Sequence, residues 1–126
     1  MSAIASGCEL DVERGPDWLL VRVGSLDMAE PDAIPLAEQV WSLLRQHFTY
    51  RLVLELDQID LLTGGLVGQL VQLQRRIEKH GGLMRLCGLS PDNRQVLQTC
   101  GLDDRFLPYQ DRQEAIMGGE RPRLPR

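Results

Sequence analysis

Between residues 9 and 14 the chain alternates, with Leu10 and Val12 standing between Glu9, Asp11 and Glu13. Successive strand residues face opposite sides, so this segment predicts a strand with one apolar and one charged face. Gly15, Pro16 and Asp17 supply turn chemistry, and residues 18–23 resume an apolar β-type run that completes a hairpin. From Asp32 onward the period changes. Ile34, Ala37, Val40, Trp41 and Leu44 recur at three- and four-residue steps, which predicts a helix with a single buried face ending near His47.

Residues 52–56 (LVLEL) are short and almost wholly apolar, as expected of a central strand covered on both sides. Leu66, Val67, Leu70, Val71, Leu73 and Ile77 then predict a second helix, starting at or just after Thr63 and stopping at Lys79, His80, Gly81 and Gly82. Residues 83–87 (LMRLC) predict another strand. Ser90 can cap a third helix with Pro91 in its first position, running to about Cys100 before Gly101 stops it. Residues 106–109 suit an edge strand, where Pro108 is tolerable, and residues 111–117 suit a short terminal helix. The order β-β-α-β-α-β-α-β-α implies an α/β domain: a mixed, mostly parallel sheet of about five strands packed against about four helices.

Length and composition narrow this picture. The 126 residues fit one core, spanning residues 8–117, with residues 1–7 expected to be flexible and the Pro/Arg-rich residues 118–126 disordered. A net charge of -4 without a strong basic cluster argues against nucleic acid as a partner. Cys8, Cys87 and Cys100 form no CxxC pair and have no histidine at zinc-ligand spacing, so reduced thiols and no metal are expected. Residues 1–7 lack the features of a signal peptide and no run of 18 apolar residues occurs, which points to a cytoplasmic protein without membrane insertion.

Trp18 and Trp41 lie on predicted apolar faces and are read as core. His47 and His80 fall at helix ends with no Cys or carboxylate arranged as a triad or metal site, and no phosphate-binding glycine motif follows a strand. No catalytic residue and no cofactor are therefore expected.

Residues 51–116 resemble the STAS family, which includes the bacterial anti-sigma-factor antagonists. The resemblance is carried by the strand, loop and helix from Leu54 to Leu70, by the Gly81-Gly82 stop before LMRLC, and by Leu102-Asp103 to Phe106 followed by an acidic terminal helix. Gly24-Ser25-Leu26-Asp27 is similar to the family's G-x-L-D element. In phosphorylation-controlled members the loop before the second helix reads D-S-S-G-L-G, and its second serine is phosphorylated by a kinase that is also the anti-sigma factor. Aligned without a gap from Leu54, that aspartate is Thr63, the serines are Gly64 and Gly65, and the following glycine is Leu66, with Gly68 and Leu70 in register.

The acceptor serine is thus replaced by Gly65. A gapped alignment would make Thr63 the phosphoacceptor but would displace the apolar stripe from Leu66 to Ile77; read from its own residues, Thr63 is a helix N-cap. The resemblance implies a partner-binding loop at Asp27, Thr63, Gly64 and Gly65, and Asp60 belongs beside it at the end of a predicted strand. The implied partner is an anti-sigma factor or serine-kinase-like protein, and a homodimer stays open. Two further readings stand beside this one: an accessory subunit of an ABC-type transport system, and an anion- or nucleotide-sensing domain using the Gly64 and Gly65 amides.

Overall fold

Alternation at residues 9–14 folds as expected. In the computed structural model, which describes residues 2–5, 8–26 and 35–117, β2 (Cys8–Arg14) and β3 (Leu19–Leu26) pair antiparallel with Val12 opposite Val21. One strand precedes the expected five. Ser2–Ala5 forms β1 and pairs antiparallel with β2, Ala3 opposite Leu10. Within the expected flexible stretch, residues 2–5 thus form a strand, which pairs with the row of N–H and C=O groups that β2 would otherwise leave open.

The remaining elements follow in the expected order: α1 (Leu36–His47), β4 (Arg51–Glu55), α2 (Gly64–Lys79), β5 (Leu83–Cys87), α3 (Pro91–Thr99), β6 (Pro108–Tyr109) and α4 (Arg112–Met117). The sheet runs β1-β2-β3-β4-β5-β6 and is parallel from β3 to β6, with Leu54 of β4 between Val21 and Leu86. Helix α1 begins after Pro35, whose side chain cannot cap. Gln69 of α2 takes over, its Oε1 accepting the Ala37 N–H at 2.8 Å. Ile34, expected on the buried face of this helix, lies outside the described residues, as do Asp27 and residues 118–126.

One sheet face, carrying Leu10, Val12, Val21, Leu52, Leu54 and Leu86, packs with Val40, Trp41 and Leu44 of α1 and Leu70, Leu73 and Ile77 of α2. Burying each such side chain stabilises the fold by about 1.5–3 kcal/mol. The reverse face buries Trp18, Leu20, Val53, Cys87 and Tyr109 beneath Ala115 of the short α4. The α2-to-β5 turn needs Gly82, because a Cβ there would run into the Tyr50 carbonyl oxygen. This turn holds β5 in register with β4 and so positions the helix that follows.

Candidate functional site

The segment between β4 and α2, residues 56–63, leaves the sheet at the C-terminal end of a central strand. Three of its apolar residues, Leu56, Ile59 and Leu62, are buried and plug the core. Asn93 of α3, fully buried, clamps the last two: its Nδ2 donates to the Ile59 carbonyl at 3.0 Å and its Oδ1 accepts the Leu62 N–H at 2.9 Å. Asp60 and Leu61 are thereby pushed outward between two anchors. Asp60 is exposed and Leu61 is 52% exposed.

Thr63 is the N-cap of α2, with extended backbone (φ -83, ψ 166) and its Oγ1 accepting the Leu66 N–H at 3.2 Å. The cap reading of the sequence is observed directly. Gly64 is exposed with open space where a Cβ would stand, and Gly68 repeats this one turn later. The start of α2 therefore presents bare backbone to solvent. Beside it an open groove of about 1150 Å³ runs between α1 and α2, with Glu38, Gly65, Gln72, Arg75 and Lys79 on its walls.

Behind the loop a carboxylate is buried on purpose of geometry rather than composition. Glu55, the last residue of β4, is 4% exposed and sits between two arginines. Arg112 Nη2 and Nε reach its Oε2 at 2.6 and 3.2 Å, and Arg22 Nη2 reaches its Oε1 at 3.3 Å. Arg22 Nε also lies 3.3 Å from Asp57 Oδ1, an ion pair without hydrogen-bond alignment. Arg112 Nη1 further donates to Glu13 at 2.6 Å, and this bond holds the Glu13 carboxyl below its ordinary range. The same two carboxylates hold the Arg112 guanidinium charged more firmly than usual. Burial pushes the neighbouring Cys87 thiol up to about 12, with Glu55 and Asp57 adding to the effect. It is an inert thiol.

Of the predicted site residues, Asp60, Thr63, Gly64 and Gly65 come together on one loop and helix start, while Asp27 lies outside the described residues. Both tryptophans are buried, Trp18 between the Arg51 and Arg85 guanidiniums and Trp41 against Tyr50 and His80. His80 is thus a stacked ring, its Nδ1 3.2 Å from the Arg76 carbonyl. Sequence reasoning missed Asn93 and Leu61. The signal for Asn93 was present in its spacing, since Asn93, Val96 and Leu97 share one face of α3.

A mixed sheet with α1 and α2 packed on one face, the short α4 on the other, and an anchored loop heading α2 is an α/β architecture. A family model of the STAS domain matches residues 10–115, and the chain belongs to the STAS domain family. Among solved structures it is similar to an anti-sigma factor antagonist from Mycobacterium paratuberculosis, at 22% identity and a TM-score of 0.71 over 94% of this chain and 97% of that one. It is similar to an anti-sigma-factor antagonist (STAS) domain protein from Planctomyces limnophilus, at 20% identity and a TM-score of 0.65 over 86% and 96% of the two chains. The antagonist SpoIIAA in its unphosphorylated form gives 19% identity and a TM-score of 0.63 over 85% and 92%. At these identities the likeness is one of fold. No curated protein matches the chain.

Proposed function

We propose that this STAS domain is a protein-binding module, not an enzyme, that acts as an anti-sigma-factor antagonist without the usual serine switch. Its docking surface is the outward edge of the anchored loop, Asp60 and Leu61, together with Thr63, Gly64 and Gly65. The observation that supports this best is the start of α2. In the ungapped alignment from Leu54, Gly64 and Gly65 take the places of the family's serines, and a glycine can carry no phosphate. The Thr63 oxygen is already engaged as the cap of Leu66.

A partner approaching this surface meets bare helix backbone at Gly64 and Gly68 and one apolar side chain at Leu61. Such a surface can be read at close range without a phosphate to repel it. The module would then bind a kinase-like anti-sigma factor whatever that kinase does with ATP, and so regulate transcription by occupancy alone.

The test is binding of the co-purified partner by two variants. Gly64→Arg fills the bare patch and Leu61→Asp charges the apolar contact. Each should weaken binding by roughly tenfold or more while leaving the melting temperature nearly unchanged. Full affinity in both variants would sink the docking surface, and co-purification with an ABC-type ATPase in place of a kinase would replace the partner class.

A further inference from the structure

The link between α1 and β4 is three residues long, and its first residue is costly. Phe48 ends α1 in the left-handed region, φ 51 and ψ 37, with its N–H 3.2 Å from the Arg45 carbonyl. Glycine or asparagine takes this helix-ending position readily, whereas a bulky side chain does not. The Phe48 ring is also 87% exposed. The fold gains nothing visible from the aromatic ring, since its ring is bare and its backbone is strained. A residue held in that state at the surface points to use rather than to packing.

Its surroundings are specific. Thr49 Oγ1 donates to the His47 carbonyl at 2.9 Å, and the Tyr50 carbonyl accepts the Leu83 N–H at 3.0 Å. Leu83, 38% exposed, is a second apolar side chain at this pole. At the same pole the His80 ring stacks on Tyr50 at 5.4 Å and meets Trp41 edge-on at 4.7 Å. Arg45 and His47 stand in the last turn of α1, Arg76 and Lys79 in the last turn of α2, and Arg51 opens β4. Arg76 is paired with Glu38 at 2.7 Å. Among the described residues, Arg45 and Lys79 have no carboxylate within ion-pair distance, Arg51 lies over the Trp18 ring at 5.3 Å, and Glu78 is the acid in the same turn of α2.

We infer that this pole, at the N-terminal ends of the parallel strands, is a second docking surface, and that it takes an acidic protein segment carrying an apolar side chain. An excess of cations in a chain of net charge -4 selects carboxylates. One exposed aromatic ring among arginines is the composition of a protein hot spot, whereas a membrane surface calls for a longer apolar face or a second anchor. The Thr63 loop leaves β4 at the opposite end, so both surfaces can be occupied at once. The module would bridge two proteins rather than cap one.

The test is titration of isotope-labelled full-length protein with a panel of short synthetic peptides, each with a Phe or Leu flanked by Asp and Glu, against isomers carrying Lys in place of the acids. The acidic peptides should shift amide signals of residues 44–51 and 76–83, leave residues 56–70 alone, and bind more weakly as salt rises. Phe48→Gly should weaken that binding by roughly tenfold while raising the melting temperature. No shifts in those segments, or equal binding by Phe48→Gly, would overturn the inference. Phe48-dependent binding to phosphatidylserine vesicles but not to the peptides would replace it with a lipid surface. Self-association abolished by Phe48→Gly, with no peptide binding, would replace it with a second copy of this chain.

Discussion

Asn93 holds Leu62: the buried Oδ1 accepts the Leu62 N–H at 2.9 Å from a helix 31 residues further along the chain. The same amide donates to Ile59, so one side chain fixes the shape of the loop that carries the proposed docking surface. Asn93→Leu keeps the volume and removes both bonds. It leaves a buried carbonyl and a buried N–H without partners, at a cost of about 2–4 kcal/mol. Urea unfolding measures this, and amide exchange should show residues 59–63 opening far faster than β4. Unchanged exchange in the loop would mean that Ile59 and Leu62 anchor it through packing alone.

Glycines separate by what surrounds them. Gly68→Ala meets nothing and replaces the poorest ordinary helix former, so it should stabilise by about 0.5–1 kcal/mol. Gly82→Ala collides with the Tyr50 carbonyl and the Ile77 side chain, and should destabilise by about 2–4 kcal/mol. Thermal melts of the two variants, made side by side, check both signs.

The latch on α4 can be opened from its charged end. Arg112→Leu leaves Glu55 buried with Arg22 alone and frees Glu13. Because the Arg112 side chain is 34% exposed, the loss should be nearer 1–2 kcal/mol than the larger figure for a fully buried pair. With Cys8 replaced by serine, exposed Cys100 should react at once with a thiol reagent in the native protein. Cys87 should react only on opening, and faster in Arg112→Leu. Equal Cys87 rates in both backgrounds would show that α4 is held by Ala115 and Tyr109 rather than by the ion pairs.

Cys87 also sets a pH dependence. An unfolded thiol titrates near roughly 8.5, and in the folded protein the Cys87 thiol is pushed up to about 12. Across that window the unfolded chain gives up a proton that the folded chain keeps. Fewer protons are bound in the unfolded state, so stability falls as pH rises. Cys87→Ala should flatten this decline in denaturant midpoints measured from neutral to strongly alkaline pH. An unaltered slope would assign the alkaline loss to other groups.

Much of this was legible in the chain because the physics was local. Leu10 and Val12 alternate with acids, so their strand is visible in four residues. Thr63 and Ser90 precede their helices with hydroxyls that the structure shows accepting from Leu66 and Asn93. What escaped was long-range. Glu55 sits in an apolar run and reads as a defect until Arg22 and Arg112 arrive from 33 and 57 residues away. Asn93 reads as a solvated helix residue until the loop folds onto it. Phe48 drew no reading of its own, because a left-handed backbone leaves no mark in hydrophobic periodicity.

The central claim is a docking surface that phosphorylation does not switch. Its most direct test is to co-purify the partner from the native cell, incubate the complex with ATP, and follow both binding and the mass of residues 57–70. The account predicts a kinase-like anti-sigma factor that stays bound, with Thr63 unmodified. Stoichiometric phosphate on Thr63 accompanied by release of the partner would contradict it.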